Sequence, residues 1–295
     1  MYKFRAITRI ALLGALLGLS GTATAGTPIN ERHALNADGR LTVKNIAGSI
    51  EIRAWDRNEV QISGSLGRDA EKLEIGGNAS ALKIEVRYPR KNRGGMEETQ
   101  LRLQVPAGIT LEVEAVSADV RVIGTRGPVK ASSVSGDVSL DVGASRVEAN
   151  SVSGDVHLRA SSTDTRLASV SGDLRADGVR GTLKAETVSG DLEVAGGPFK
   201  ALSAESVSGD LQLDVSLDEA VQLTAETLSG DIALLLPKAP DARVVMKTFS
   251  GELRNRYDAV ESGERRNYDR SIGSGKGSIK LNSFSGDIVV SDGKR

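Results

Sequence analysis

Six aspartates recur through the middle of the chain at an almost fixed interval: Asp137, Asp155, Asp173, Asp191, Asp210 and Asp231. Carboxylates are hard oxygen ligands, and stacked turn aspartates can coordinate Ca²⁺ in β-rolls. These six are therefore the candidate metal ligands. The competing chemistry is that of a turn. Each aspartate closes a Ser-Gly-Asp motif, in which glycine is expected to take a positive φ and the Ser and Asp side chains to hydrogen-bond local backbone donors. Like charges about 5 Å apart repel by only ~1 kcal/mol in water, so such a column stands without a counter-ion. Calcium-binding rolls use a denser Gly-Gly-x-Gly-x-Asp pattern, which is missing here. The turn reading is preferred, and no cofactor is expected.

Other chemistry has thin material. The two histidines are His33 and His157. His33 lies close to the expected mature N-terminus, and His157 falls at an outward strand position. With no cysteine and no His-x-x-His spacing, zinc lacks a ligand set. A serine nucleophile needs a histidine base oriented by an acid, whereas every Ser-Gly-Asp here is one unit of a repeat. β-Helices that cleave polysaccharides place paired acids on one face, but acids are so widespread that spacing singles out no pair. Gly273-Ser274-Gly275-Lys276-Gly277 lacks the order of a phosphate loop and reads as a turn. Trp55, with Arg53 and Arg57 beside it, reads as an end cap rather than a ligand contact. No residue is a catalytic candidate, and no enzymatic activity is expected.

The elements that position these residues follow from the repeat. A hydrophobe precedes Ser-Gly-Asp at Val134, Val152, Val170, Val188, Val207, Leu228 and Phe284, with Glu252 replacing Asp after Phe249 and a degenerate copy at Val116-Ser117-Ala118-Asp119. The third positions are 118, 136, 154, 172, 190, 209, 230, 251 and 286, so the spacings are 18, 18, 18, 18, 19, 21, 21 and 35. Runs with period-two alternation flank each turn, such as Leu183-Lys184-Ala185-Glu186-Thr187 before it and Leu211-Gln212-Leu213-Asp214-Val215 after it. That is the pattern of half-buried strands, and a glycine turn every 18 residues rules out helix. Neither strand buries its apolar face alone, but stacked coils do. The predicted fold is all-β, a right-handed parallel β-solenoid of ~18-residue coils, at most about 15 coils or roughly 70 Å long.

The inward columns can be named. Five residues before the turn hydrophobe stand Val129, Val147, Leu183, Leu202, Leu223, Val244 and Ile279; three before stand Ala131, Ala149, Leu167, Ala185, Ala204, Ala225, Met246 and Leu281. One before is Ser or Thr: Ser133, Ser151, Ser169, Thr187, Ser206, Thr227, Thr248 and Ser283. These hydroxyls are expected to form a ladder, bonded to one another. Outward columns mix charge signs and read as solvated faces. Small core side chains predict a thin, filled interior with no cofactor cavity.

Along the chain, residues 1–25 read as a signal peptide. Lys3, Arg5 and Arg9 precede an apolar run, and Ala23-Thr24-Ala25 fits a cleavage site before Gly26. Without that segment Lys+Arg falls from 38 to 35 against 39 acids, a formal charge of −4. This argues against nucleic acid and against a polybasic grip on lipid, and the processed chain is not expected to be integral to a membrane. An oxidising compartment is expected, yet there is no cysteine for disulfides. Residues 26–115 read as an irregular N-terminal β section containing Leu41–Ile52, a charged loop at 89–99 and a turn at Pro106-Ala107-Gly108. Residues 116–295 read as the regular repeat, with a charged insertion at about 254–270 that leaves the body as a loop or hairpin.

The strand-glycine-strand unit Leu41–Ile52, the strand Leu101–Pro106 ending in Val-Pro, the stacked Ser-Gly-Asp turns and the closing Ile279–Ile288 carry a family resemblance. Over residues 30–291 the chain resembles the bacterial "putative adhesin" family of β-strand repeat proteins, a domain of unknown function of the DUF4097 type. The resemblance implies an exported β-solenoid and transfers no active site. The function expected is a non-enzymatic scaffold of the periplasm or cell surface, adhesin-like, with a protein or envelope glycan as partner. The alternatives are a binder or processor of envelope polysaccharide, or a calcium-stabilised roll. A groove lined by acids and aromatics would favour polysaccharide, and a smooth charge-mixed face the adhesin-like role. Function is expected where the repeat breaks, at 89–99 and 254–270.

Overall fold

The computed structural model describes residues 26–89, 97–258 and 266–292, so the leader expected at 1–25 lies outside it. Among the described residues there are strands and turns and no helix. The first section holds β1 (Thr27–Ala34), β2 (Arg40–Trp55), β3 (Glu59–Leu66), β4 (Lys72–Asn78), β5 (Ala81–Arg87) and β6 (Thr99–Pro106). The middle holds β7 (Thr110–Ile123), β8 (Val129–Ser132), β9 (Val138–Val142), β10 (Arg146–Asn150), β11 (Val156–Ala160), β12 (Asp164–Ala168), β13 (Leu174–Glu186), β14 (Leu192–Ser208) and β15 (Leu211–Ser229). The last section holds β16 (Ile232–Leu235), β17 (Ala242–Ser250), β18 (Leu253–Asn255), β19 (Asn267–Ile272), β20 (Gly277–Ser285) and β21 (Ile288–Ser291).

Parallel pairing stacks each coil on the next. Val147 of β10 pairs with Val129 on one side and Thr165 on the other. After the turn, Val156 of β11 pairs with Val138 and Leu174. This register places like on like, so the alternation written in the sequence becomes continuous apolar columns. The residues five, three and one before the turn hydrophobe are all buried. Thr165 fills a gap in the first column, and its hydroxyl donates to Ser162 Oγ at 2.9 Å. Each fully buried Val or Leu contributes roughly 1.5–3 kcal/mol, and the parallel ladders satisfy the backbone between the two walls.

At both ends the stacking order departs from the chain order. β20 lies between β15 and β17, pairing with each in parallel, and β21 likewise lies between β16 and β18. The last coil is thus slotted inside the one before it. This accounts for the spacing of 35, and it changes the expected charged insertion. Arg254 and Asn255 belong to β18 in the wall, and Arg270 belongs to β19, which runs antiparallel along β17. The segment stays on the body because β17 would otherwise present an open edge. Residues 259–265 of that stretch lie outside the described residues.

The N-terminal end is built in the same way. β2 pairs in parallel with β7 on one side and with β5 and then β6 on the other. Antiparallel β4 covers β5, β3 covers β6, and β1 covers β3. Each end also carries a tyrosine–amide plug. Asn45 stands in the hydroxyl column and accepts from the Tyr88 hydroxyl at 3.1 Å, while the Thr99 hydroxyl lies 3.0 Å from the same phenol oxygen. At the other end buried Asn255 donates to the Tyr268 hydroxyl at 3.0 Å, and Tyr268 donates to Asp258 at 3.1 Å. Burial, and then the Asp258 carboxylate that holds its proton, push the Tyr268 phenol up to about 12. Burial also raises Tyr88.

Candidate functional site: the Ser-Gly-Asp corner

The corner is assembled from four positions with different jobs. The glycine is required for space. No repeat glycine from Gly136 to Gly230 lies in the left-handed region, contrary to the expected positive φ. Instead a Cβ on Gly172 would stand 2.1 Å from the Gly154 carbonyl oxygen, and one on Gly209 2.0 Å from that of Gly190. Successive turns approach too closely for any side chain. The preceding hydroxyl column also differs from expectation, because its members bond to backbone rather than to one another. Ser169 Oγ accepts from the Gly172 amide at 2.9 Å and donates to the Gly154 carbonyl at 3.4 Å. Ser133 and Ser151 repeat the arrangement. A buried hydroxyl thereby joins each turn to the one beneath it.

The aspartates form a second ladder. Oδ1 of each accepts the backbone N–H of the acid in the next coil. The series runs from Asp119 through Asp137, Asp155, Asp173, Asp191, Asp210 and Asp231 to Asp287 and ends on the Glu252 amide, at 2.8–3.1 Å throughout. The acceptors therefore serve the neighbouring coil, not the local turn. Among the described residues no group of three or more His, Cys, Asp and Glu is arranged to hold a metal ion. The six calcium candidates each commit one oxygen to the stack, so a cation here would have to use the outward oxygens of successive coils.

The other two corner positions face solvent. The turn hydrophobe is exposed in every copy: 43–44% for the six valines from Val116 to Val207, 54% for Leu228 and Phe284, and 61% for Phe249. The serine beside it is exposed too, from Ser117 to Ser285. Phe284 and Phe249 stack with ring centroids 4.9 Å apart and planes 7° apart. The Arg266 guanidinium lies 5.7 Å from the Phe249 ring centre, and Leu228 sits beside Phe284 in register. Glu205, Glu226, Lys247 and Asn282 share with these rings an open hollow of about 800 Å³. The alternation that puts offsets of five, three and one inside puts the turn hydrophobe outside. That parity is the sequence signal for the exposed row.

Outward positions on the walls behave differently. They vary in type, and several of their charges are paired within or between coils, as in Lys130–Glu148 at 2.9 Å, Arg146–Asp164 at 2.7 Å and Arg175–Glu193 at 2.7 Å. Among the described residues none of the eight corner aspartates is in such an ion pair, and the hydrophobe and serine rows scarcely vary.

The remaining sequence candidates fall apart in space. His33 pairs with Glu31 at 3.0 Å on β1, and exposed His157 lies on the β11 wall near Arg121, Asp141 and Asp177. Trp55 is half-buried at the end of β2; its Nε1 donates to the Glu59 carbonyl at 2.9 Å, and Arg57 lies over its ring at 5.0 Å. In the Gly273–Gly277 turn, Ser274 Oγ and the Gly275 amide both bond Asp241, whose carboxyl those contacts hold below the usual range. Of the 89–99 loop, residues 90–96 lie outside the described residues, and Glu97 pairs with Arg68.

The family model described as Toastrack DUF4097 matches residues 39–291. No curated protein matches the sequence. Among solved structures, the chain is similar to a "putative cell adhesion protein" from Clostridium sporogenes, with 12% identity, TM-score 0.26, and coverage of 90% of this chain and 99% of that one. A "putative lipid binding protein" from Parabacteroides distasonis shows 13% identity and TM-score 0.47, with coverage of 90% and 97%. A "putative adhesin" from Bacteroides fragilis shows 13% identity and TM-score 0.34 over the same shares.

Proposed function

The chain belongs to the Toastrack family, DUF4097, and from that premise we propose that it is an exported, non-enzymatic scaffold of the cell envelope, adhesin-like, that binds its partner along the Ser-Gly-Asp corner. In this reading a right-handed solenoid of ~18-residue coils is the rigid support, its hand following from the general preference of parallel crossovers. The observation that carries the proposal is the exposed apolar row. Nine hydrophobes stand on one edge from Val116 to Phe284 and Phe249, each at least 43% exposed. Nothing in the fold requires a hydrophobe or a serine at these outward positions, while outward positions on the walls vary. Contiguous apolar surface of roughly several hundred Å² marks an interaction site.

The hollow at Phe249 and Phe284 meets part of the criterion for a polysaccharide site, since acids and aromatics line it together. The rings, however, cover each other's faces, with Arg266 and Leu228 at the two outer faces of the pair. A sugar stacks on an open ring face, and here mainly the ring edges remain, which suit apolar side chains better.

Two measurements test the proposal. N-terminal sequencing of the protein from fractionated cells is expected to begin at Gly26 in the exported fraction; a chain retaining residues 1–25 in the cytoplasm contradicts export. Capture of an envelope component by the immobilised protein is expected to be lost when Val152, Val170 and Val188 are replaced together by Ser and kept when wall residues Arg166 and Lys184 are replaced. Equal capture by both variants contradicts the corner as the binding surface.

A further inference from the structure

We infer that the occupant of the corner is a cationic amphipathic segment of another polypeptide, one that presents apolar side chains with Lys or Arg beside them. The inference rests on the corner being the binding surface and adds the chemistry of the partner. The apolar row extends over nine coils, about 38 Å at strand spacing. Three residues further round the corner runs the carboxylate row, eight aspartates from Asp119 to Asp287 in register with it. Their Oδ1 atoms are held by backbone amides, so the row is fixed in place.

The contrast with the walls decides the sign of the partner. Wall charges mix signs and several are paired from strand to strand, as in Lys130–Glu148, Arg146–Asp164, Arg175–Glu193 and Arg243–Asp269. The corner acids have no such partner among the described residues. A line of like charges with a low-dielectric apolar strip beside it focuses a negative potential along the edge. Arg121 and Arg175, two residues beyond Asp119 and Asp173 on the same outward face, offset this locally, as do Lys247, Arg254 and Arg266 at the far end.

The same arrangement weighs against the other occupants. An anionic lipid surface would be repelled along the whole row. A second copy related by a two-fold axis perpendicular to the row would set aspartate rows against each other. With the axis parallel to the row, the aspartates would meet the column two residues before the hydrophobe, where Glu114, Glu186, Glu205 and Glu226 outnumber a single base, Lys247. A cationic amphipathic chain satisfies both rows at once.

The test uses three synthetic peptides of equal length, made of Leu and Lys, of Leu and Glu, and of Ser and Lys, titrated into the full-length processed protein at physiological ionic strength by fluorescence anisotropy. The Leu/Lys peptide is expected to bind at least about tenfold more tightly than either of the others. Replacing Asp173, Asp191 and Asp210 together by Asn keeps an Oδ1 acceptor for each amide but removes the charge, and is expected to weaken binding several-fold with the melting temperature unchanged. Val152→Ser, Val170→Ser and Val188→Ser together are expected to weaken it about tenfold. Equal binding of the Ser/Lys peptide, insensitivity to the Asn variant, preferential uptake by anionic phosphatidylglycerol vesicles, or concentration-dependent dimerisation through the row would each overturn the inference. If the valine variant abolishes envelope capture while the Leu/Lys peptide binds no better than the others, the corner stands and the cationic partner falls. If it changes neither, both fall.

Discussion

Within one repeat, neighbouring residues carry opposite obligations. At Ser169-Val170-Ser171-Gly172 the first and last are structural and the middle two face solvent. Gly172→Ala is expected to cost about 3 kcal/mol, because the new methyl meets the Gly154 carbonyl, which belongs to a paired backbone that cannot retreat. Ser169→Ala removes the acceptor of a buried amide and is expected to cost about 1–3 kcal/mol. Val170→Thr and Ser171→Ala are expected to fall within about 0.5 kcal/mol of wild type. Urea denaturation of the four variants checks the division. Repetition made the glycine's necessity legible but not its cause, because a left-handed φ and a close backbone approach select the same residue. The hydroxyl column was legible as inward, yet its partners were not, since a buried Ser can bond a hydroxyl or a carbonyl with the same sequence.

Strands were readable from alternation, which states which face a residue occupies. It says nothing about which strand lies alongside. Hence the columns Val129–Val147–Leu183 and Ala131–Ala149–Ala185 emerged from spacing alone, whereas the slotting of β20 between β15 and β17 did not. Every coil offers the same face, so order is set by the connections and by which end strand can be covered. The end plugs follow from this: coils without a further neighbour expose the core, and Asn255 and Tyr268 close it with polar groups that satisfy each other. Tyr268→Phe is expected to destabilise the protein by about 1–3 kcal/mol by leaving the Asn255 amide unpaired. It also carries a pH signature. The phenol is held neutral in the fold up to about 12 but ionises from about 10 when unfolded. Its contribution is therefore complete below pH 10 and declines as the pH rises toward 12. Thermal melts across that range are expected to fall more steeply for wild type than for the Phe variant; parallel curves would contradict the assignment.

At the scale of the whole molecule, the proposed function lies on the repeat itself rather than at its breaks. The 89–99 segment contributes a plug through Thr99, and 254–270 supplies a wall strand and an edge cover, both duties of solenoid ends. Distributing a binding surface over identical coils gives many weak, equivalent contacts. Affinity then grows with the number of coils engaged, and loss of any one residue is tolerated. Such a surface has no unique motif and no singular constellation of residues. The most direct measurement is a scan of a photo-crosslinking amino acid along the protein in living cells, one position at a time. Crosslinks to a common partner are expected from the corner positions Val134, Val152, Val170, Val188 and Val207, and none from the wall positions Lys130, Glu148, Arg166 and Lys184. A partner captured from the walls or from the ends but not from the corner row would contradict the account.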